Sequence, residues 1–237
     1  MTRTLLASLL LLPYFLQAQT CIVVVRQFNK ITIGMDSRAG FTMKPGVYDT
    51  VCKIRKYKNI YITASGIGTE EAYKIALEAC KNSNSIEEAI TQFIKNDTVD
   101  RRKLLNFLVT APYYVSQYHS IKTSSVVFCT FEKSVPKVIA VQIDIVSKVG
   151  EPIVLEASIS RQTKLEPEQS FVLLGHYDLI IKKTLDQYFI NKTTEQGIED
   201  MILLECKKDS DVGKPINILN IYNDRYKWFK NPVKCAF

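Results

Sequence analysis

The chain contains little histidine: His119 and His176 are the only two in 237 residues. Neither lies in a recognisable nucleophile motif, so we interpret both as structural and disfavour a Ser-His-Asp or Cys-His enzyme. The cysteines form no Cys-x-x-Cys pair and have no histidine nearby, which argues against a zinc site. Any catalysis is therefore expected to proceed without imidazole, and we predict neither a metal nor another cofactor.

The chain also lacks the long tracts of glycine, serine or proline that would mark a linker. Hydrophobic residues make up 46% of it and charged residues 23%, which are ordinary values for a globular protein. A chain of this length can bury a large core within one domain. We therefore expect a single domain from residue 20 to residue 237.

No apolar run reaches the roughly 20 residues that a membrane-spanning helix needs. The run from Leu5 to Leu16 follows Arg3 and resembles the shorter apolar region of a secretion signal, with Ala18 as the best residue for cleavage. Cleavage there leaves one residue before Thr20. We expect residues 1–19 to be removed on maturation, the last of them in a separate step.

An alternative is a lipoprotein acylated at Cys21, but lipoprotein signals prefer a small residue at the position of Thr20. We therefore expect an exported soluble protein, secreted or periplasmic, that does not bind the membrane once the signal is removed. A disulfide can form in such an oxidising compartment, although the sequence does not indicate which cysteines pair. The six cysteines are Cys21, Cys52, Cys80, Cys129, Cys206 and Cys235.

Positive charge exceeds negative charge, with 31 lysines and arginines against 24 acidic residues and a net charge of +7. The cations are scattered and accompany no nucleic-acid-binding motif. We interpret them as solvated faces of a basic protein and predict no nucleic-acid partner. They form short groups at residues 53–58, 101–103, 207–208 and 225–234.

Hydrophobic periodicity predicts an alternation of strands and helices. One helix is predicted to open at Thr69, and another at a capping box formed by Ser85 and Glu88. Two later helices are predicted at about 177–189 and 194–207. The predicted strands are 22–25, 31–35, 51–57, 60–64, 126–131, 138–145, 153–159 and 216–221. This order of elements would bury every apolar face in an α+β fold, a four-layer αββα sandwich.

Four short segments carry a family resemblance. They are Thr20-Cys21-Ile22-Val23, Met35-Asp36-Ser37-Arg38-Ala39, Val51-Cys52-Lys53-Ile54 and Thr63-Ala64-Ser65-Gly66-Ile67. In these segments the sequence resembles the β-type subunits of the proteasome and their relatives among bacterial ATP-dependent proteases. Those proteins are N-terminal nucleophile (Ntn) hydrolases with the αββα fold. The resemblance is strongest from residue 20 to about residue 94 and weaker beyond.

The resemblance implies a catalytic set in which a threonine opens the first strand. Asp36 follows Thr20 at the family's interval of sixteen residues, and Lys53 comes seventeen residues later, one more than the family has. The extra residue is expected in the loop from Met43 to Tyr48. The residues that the resemblance implies are the catalytic Thr20, Asp36, Lys53, Gly66 and Asp209 and the supporting Arg38 and Ser65.

The chemistry explains why these residue types belong together. The α-amine of a first-residue threonine, with a reference pKa of roughly 7.7 to 8.0, can take the hydroxyl proton itself, so no histidine is required. The Lys53 ammonium would favour the alkoxide that forms during attack, and Asp36 would keep that lysine charged and aimed. The backbone amide of Gly66 could hold the oxyanion of the tetrahedral intermediate.

Other features depart from the family pattern. Gln19 replaces the glycine that usually precedes the threonine, so exposure of the nucleophile needs a further cleavage. In the segment 209–214, which resembles a family segment that supports the nucleophile, Val212 and Lys214 do not match. Gly175-His176 lies where another supporting serine is usual. These departures would loosen the geometry of the site.

Three functions remain open. The leading one is an exported threonine-type Ntn amide-bond hydrolase, a peptidase, that acts on a peptide or small amide. The second is an amidase with Cys21 as nucleophile, although its interval to Asp36 is fifteen residues rather than sixteen. The third is a catalytically inactive proteasome-like assembly protein. The chain could form a homo-oligomer, but no sequence feature fixes the number of subunits.

Overall fold

Strands dominate the chain, for which we obtained a computed structural model that describes residues 20–40, 48–66, 68–109, 119–147, 154–163, 169–208, 212–235 and 237. The strands in these ranges are β1 (Cys21–Gln27), β2 (Ile31–Asp36), β3 (Arg38–Gly40), β4 (Tyr48–Thr50), β5 (Ile54–Tyr57), β6 (Ile60–Gly66), β7 (His119–Glu132), β8 (Val135–Ser147), β9 (Val154–Gln162), β10 (Gln169–Gly175), β11 (Ile216–Ile221) and β12 (Tyr226–Lys230). The helices there are α1 (Thr69–Lys81), α2 (Ile86–Val109) and α3 (Thr194–Lys208). None of these helices is both long enough and apolar enough to cross a membrane.

The strands form two five-stranded antiparallel sheets and a two-stranded one that pairs β3 with β4. The first large sheet has the order β10-β1-β2-β11-β12, and the second has the order β5-β6-β7-β8-β9. β1 and β2 form the predicted hairpin, which the Gln27 amide closes by donating to the Lys30 carbonyl at 2.8 Å. Because β10 and β11 flank this hairpin, distant parts of the chain bury it on both edges.

Three apolar clusters occupy the faces of the large sheets. One joins α1 and α2 to the second sheet, and includes Phe93 and Phe128. Another contains side chains of both sheets, and the third joins the first sheet to α3. β1 contributes to the last two by alternation, since Ile22 and Val24 belong to the cluster shared by the sheets and Val23 to the cluster beneath α3.

The prediction of a helix at 177–189 is wrong. This segment forms two short 3-10 turns instead, Ile180–Lys182 and Leu185–Tyr188. The Glu205 carboxylate accepts hydrogen bonds from the amides of Leu179 and Ile180 at 2.6 and 2.9 Å. A distant side chain on α3 therefore fixes these amides, a contact that local periodicity cannot reveal.

Several strands differ from the prediction. The small strands β3 and β4 and the edge strands β10 and β12 were not expected, and β5 begins at Ile54 rather than at residue 51.

The capping box at the start of α2 also differs slightly from the prediction. Ser85 Oγ accepts from the Glu88 amide at 3.2 Å, but the Glu88 carboxylate accepts from the amide of Asn84 rather than from that of Ser85.

One disulfide links distant parts of the described chain. Cys52 and Cys235 are joined across a sequence separation of 183 residues. The bridge attaches the C-terminal segment to the residue immediately before Lys53. The other four cysteines are free thiols, and all except Cys206 are buried.

Candidate active site

Three of the predicted catalytic residues lie at strand ends. Thr20 immediately precedes β1, Asp36 is the last residue of β2, and Lys53 immediately precedes β5. The register of the hairpin pairs Ile22 with Met35, which brings the start of β1 next to the end of β2. The short segment before β5 then carries Lys53 to the same place.

Lys53 connects the other two residues. Its Nζ atom donates to Thr20 Oγ1 at 3.0 Å and lies 3.0 and 3.1 Å from the two carboxylate oxygens of Asp36. Asp36 is fully buried, and Lys53 and Thr20 are 6% and 7% exposed. An ammonium group thus touches both a hydroxyl and a carboxylate in a region largely shielded from water.

Backbone and side-chain donors hold this ion pair in place. The amide of Cys21 donates to Asp36 Oδ1 at 2.9 Å, and the backbone of Gly213 donates to the same carboxylate. On the lysine side, the backbone carbonyl of Lys53 accepts from the hydroxyls of Tyr73 and Thr63, at 2.5 and 3.0 Å. The Cys21 and Gly213 donors satisfy the Asp36 carboxylate, as a buried ion pair requires, whereas the Tyr73 and Thr63 hydroxyls fix the main chain of Lys53.

Burial shifts both partners of the pair. It raises the pKa of the Asp36 carboxyl, and the attraction of Lys53 and the hydrogen bonds from the Cys21 and Gly213 backbone oppose that rise. Burial also lowers the pKa of the Lys53 ammonium, against the attraction of Asp36. Each of the two groups therefore depends on the other to stay charged in this buried position.

Thr20 is fixed through its backbone as well. Its carbonyl accepts from the amide of His176 at 2.8 Å. Gly175 has a φ of 76°, and a Cβ atom there would lie 1.6 Å from the Thr20 carbonyl oxygen. The Gly175-His176 segment therefore contacts the candidate nucleophile through its main chain, and position 175 requires glycine.

Gly66, the expected oxyanion donor, ends β6 with a φ of 109°. A Cβ atom there would lie 2.6 Å from the carbonyl oxygen of Thr123, so glycine is needed both for conformation and for space. Ser65, the expected supporting residue beside it, is buried and pairs with Ser125 of β7.

The other predicted residues lie around this centre or outside the described ranges. Arg38 begins β3, and its guanidinium occupies the space that a side chain on Gly213 would need. Asp209, the second predicted aspartate, lies outside the described residues, as do residues 1–19 and most of the loop from Met43 to Tyr48. His119 begins β7.

Cys21, the alternative nucleophile, belongs to the apolar cluster beneath α3 and has no exposed surface. Burial raises the pKa of its thiol well above the usual value, and the nearby Asp36 carboxylate adds to that rise. Because the thiolate is the reactive form of cysteine, this environment makes Cys21 a poor nucleophile.

Sequence reasoning missed the residues that hold the ion pair from outside. Tyr73 was expected only as part of a helix, although an aromatic hydroxyl on an otherwise apolar face usually needs a hydrogen-bond partner when buried. Asn217 was missed as well. It accepts a hydrogen bond from Ser37 Oγ at 3.3 Å and donates to the Val233 carbonyl at 2.8 Å, which ties the residue after Asp36 to the C-terminal segment.

Metal-binding clusters are absent from the described residues, since no group of three His, Cys, Asp or Glu side chains there could hold a metal ion.

A cavity of about 400 Å³ lies at the other end of the sheets, between the β5–β6 and β11–β12 turns. Lys56, Arg225 and Tyr226 contribute to its lining. This cavity is separate from the Thr20 site, which is placed at the opposite strand ends.

No model of a protein family matches the chain, and neither does any curated protein. A solved structure of Anbu (ancestral beta-subunit) from Yersinia bercovieri is similar, with a TM-score of 0.52, 12% sequence identity, and coverage of 90% of this chain and 88% of that one. The fold is proteasome-like. At this identity the likeness concerns the proteasome-like fold alone, and the two antiparallel sheets and three helices of the described chain are consistent with it.

Proposed function

We propose that this protein is an exported threonine-type Ntn amide-bond hydrolase, a peptidase, whose nucleophile is the hydroxyl of a processed N-terminal Thr20. The observation that carries the proposal is Lys53 Nζ, which lies 3.0 Å from Thr20 Oγ1 while also contacting both oxygens of the buried Asp36. A structural ion pair would not need a hydroxyl at its end. A hydroxyl nucleophile is weak unless neighbouring groups activate it, and a cation at this distance favours the alkoxide that forms during attack.

The αββα arrangement is part of the proposal. The three apolar clusters support four layers in one domain from residue 20 to residue 237, with α1 and α2 outside one sheet and α3 outside the other. The likeness to a proteasome-like fold also supports this part of the proposal. In such an arrangement the strand ends that carry Thr20, Asp36 and Lys53 face one opening of the sandwich.

The reaction follows from these positions. Thr20 Oγ attacks the carbonyl carbon of the substrate while its proton passes to the free α-amine of the same residue. The negative oxygen of the tetrahedral intermediate is held by the Gly66 amide, a contribution typically worth about 2.7 to 4 kcal/mol. The proton then moves to the departing amine, which leaves an ester on Thr20. Water, deprotonated by the same α-amine, cleaves this ester and restores the hydroxyl.

Lys53 and Asp36 support this sequence electrostatically. The ammonium stabilises negative charge on Thr20 Oγ1 during attack, and it lowers the proton affinity of the α-amine by repulsion of like charge. Because burial already lowers the pKa of Lys53, the carboxylate of Asp36 is what keeps that lysine protonated. Removal of either charge should therefore slow acylation.

Maturation and location complete the proposal. Removal of residues 1–19 outside the cytoplasm would free the amine, and substrates there would be short or already unfolded, since no ATP-driven unfoldase is expected in that compartment. The protein would need no cofactor and no nucleic acid, and it could act as a homo-oligomer.

The test begins with the intact mass and N-terminal sequence of the exported protein. We expect the chain to start at Thr20 and to gain the mass of one molecule when treated with a peptide β-lactone, which acylates nucleophilic hydroxyls. Thr20→Ala should abolish the adduct, while Cys21→Ala should retain it. A chain that starts at Gln19, or a mature chain that gains no mass, would refute the peptidase.

One observation favours the inactive assembly protein as a second candidate. Thr20 is only 7% exposed while residues 1–19 are still attached to it, so the unprocessed chain leaves little room for a substrate. The two candidates differ in the first measurement, since an assembly protein has no need of a free threonine amine. The Cys21 amidase has no comparable support, because burial raises the pKa of its thiol.

A further inference from the structure

A buried ion pair lies on the helix layer next to the turn that follows β6. Asp97 and Arg101 of α2 are 0% and 4% exposed. Arg101 Nη2 lies 3.1 Å from Asp97 Oδ1, and its Nε donates to Asp97 Oδ2 at 3.3 Å. Burying such a pair is costly unless its remaining hydrogen-bonding groups are satisfied. The other hydrogen bonds of Asp97 and Arg101 therefore indicate which part of the structure this ion pair stabilises.

These contacts reach both ends of one glycine-containing turn. Arg101 Nη2 also donates to the backbone carbonyl of Gly68 at 3.3 Å. Asp97 Oδ2 accepts from Ser124 Oγ at 2.8 Å, and Ser124 is the β7 residue paired with Gly66 at the end of β6. The pair thus contacts Gly68 directly and reaches Gly66 through the neighbouring strand.

The turn depends on this support because its backbone is unusual. Gly66 and Gly68 both have positive φ, at 109° and 68°. Gly68 caps α1 without any side-chain hydrogen bond, and a Cβ atom there would lie 2.5 Å from Arg101 Nη1. The guanidinium therefore occupies the space of the missing side chain and holds Gly68, which as a glycine would otherwise be conformationally adaptable.

We propose that Arg101, held by Asp97 and Ser124, is a positioning residue that fixes the Gly66 amide for oxyanion binding. This inference rests on the proposed function, in which that amide stabilises the tetrahedral intermediate. Arg101 does not touch the substrate. It acts through the turn, and its guanidinium suits the role because a planar fork can contact a carboxylate and a carbonyl at once.

The kinetic consequence is specific to the transition state. A donor aimed at the oxyanion contributes when negative charge develops and contributes little to substrate binding. Small displacements of such groups are costly, with losses of about 100-fold for a shift of 1 Å. Loosening the turn should therefore lower kcat by about 10-fold and leave KM within about two-fold.

Two variants, each expressed as the full chain and examined after maturation to Thr20, test this role. Arg101→Lys keeps the charge but loses the fork, and the double variant Asp97→Leu/Arg101→Met removes the pair without leaving an unpaired buried charge, so it should fold. Lys103→Met is the matched control, because Lys103 lies on the same helix, is 80% exposed and pairs only at the surface with Asp100. Each protein is examined by peptide hydrolysis and by hydrogen exchange of the backbone amides in residues 66–69.

Both variants should show the loss of kcat with little change in KM, together with exchange at least 10-fold faster in residues 66–69, while the control matches the wild type. Unchanged exchange in both variants would overturn the proposal, and so would unchanged kcat in a variant that exchanges faster. A wild-type protein that neither hydrolyses peptides nor reacts with the β-lactone refutes the proposed function, and with it the catalytic role of Arg101. The exchange measurement would still show whether the pair holds the turn.

Discussion

Asp36→Asn is expected to lower the free energy of unfolding by about 3 kcal/mol. The substitution removes a charge whose oxygens lie 3.0 and 3.1 Å from Lys53 Nζ in a fully buried position. Breaking a buried pair by removing one partner typically costs about 3 to 5 kcal/mol, since the other charge is left without compensation. We take the lower limit because the asparagine carbonyl can still accept from the Cys21 amide.

The assay is urea unfolding of the mature, oxidised protein at neutral pH, followed by circular dichroism. A loss of 3 kcal/mol should also lower Tm by roughly 6 to 12 °C in a chain of this size. Glu71→Gln is the control. It breaks an ion pair with Lys74 in which the side chains are 47% and 71% exposed, and such pairs contribute about 0 to 1 kcal/mol.

A double variant separates stability from chemistry. Asp36→Leu/Lys53→Met removes both charges, so most of the lost stability should return, because apolar replacements of a buried pair are often neutral. Reaction of Thr20 with the β-lactone should not return, since no cation remains near the hydroxyl. A stability loss below about 1 kcal/mol in Asp36→Asn, equal to that of the control, would refute the buried bridge described above.

Three further outcomes follow from the structure. Burial raises the pKa of Tyr73 to about 12, so the contribution of the protonated hydroxyl to the unfolding free energy is fully present below pH 10 and is lost as the pH rises through 12. Relative to Tyr73→Phe, the wild type should lose up to about 3 kcal/mol in urea titrations across this range. Cys52→Ser/Cys235→Ser opens a link across 183 residues and should cost about 2 to 5 kcal/mol, whereas a change below 1 kcal/mol by the same method would contradict the bridge. Gly175→Ala places a Cβ atom 1.6 Å from the Thr20 carbonyl oxygen and should abolish β-lactone labelling, a result that normal labelling would disprove.

The parts of the fold that local sequence determines could be predicted. The β1–β2 hairpin has a continuous β-branched pattern, and its two-residue period fixes which side chains lie on each face. That register brings residues 20 and 36 together, whereas the sequence alone connected these two residues only through the family resemblance. The strand 216–221 was predicted with the bounds that the structure gives for β11.

The parts that distant contacts determine could not be predicted. The 3-10 turns near Ile180 depend on Glu205, and β10 is a half-buried edge strand whose position follows from its pairing with β1. The disulfide is similar, because six cysteines allow 15 complete pairings and only proximity in the folded chain selects Cys52 and Cys235. The hydrogen bond from the Tyr73 hydroxyl to the Lys53 carbonyl likewise requires α1 to be packed against the sheet.

The pairing of β2 with β11 has a consequence for biosynthesis. Asp36 lies opposite Ile216, and the backbone of Gly213 donates to its carboxylate. A ribosome makes these partners about 180 residues after Asp36, and β10 on the other side of the hairpin is also made late, so an incomplete chain carries an N-terminal hairpin with open edges. The arrangement around Thr20 can therefore form only after the chain has been made through residue 216, and a copy truncated before residue 213 would lack an assembled Thr20 site.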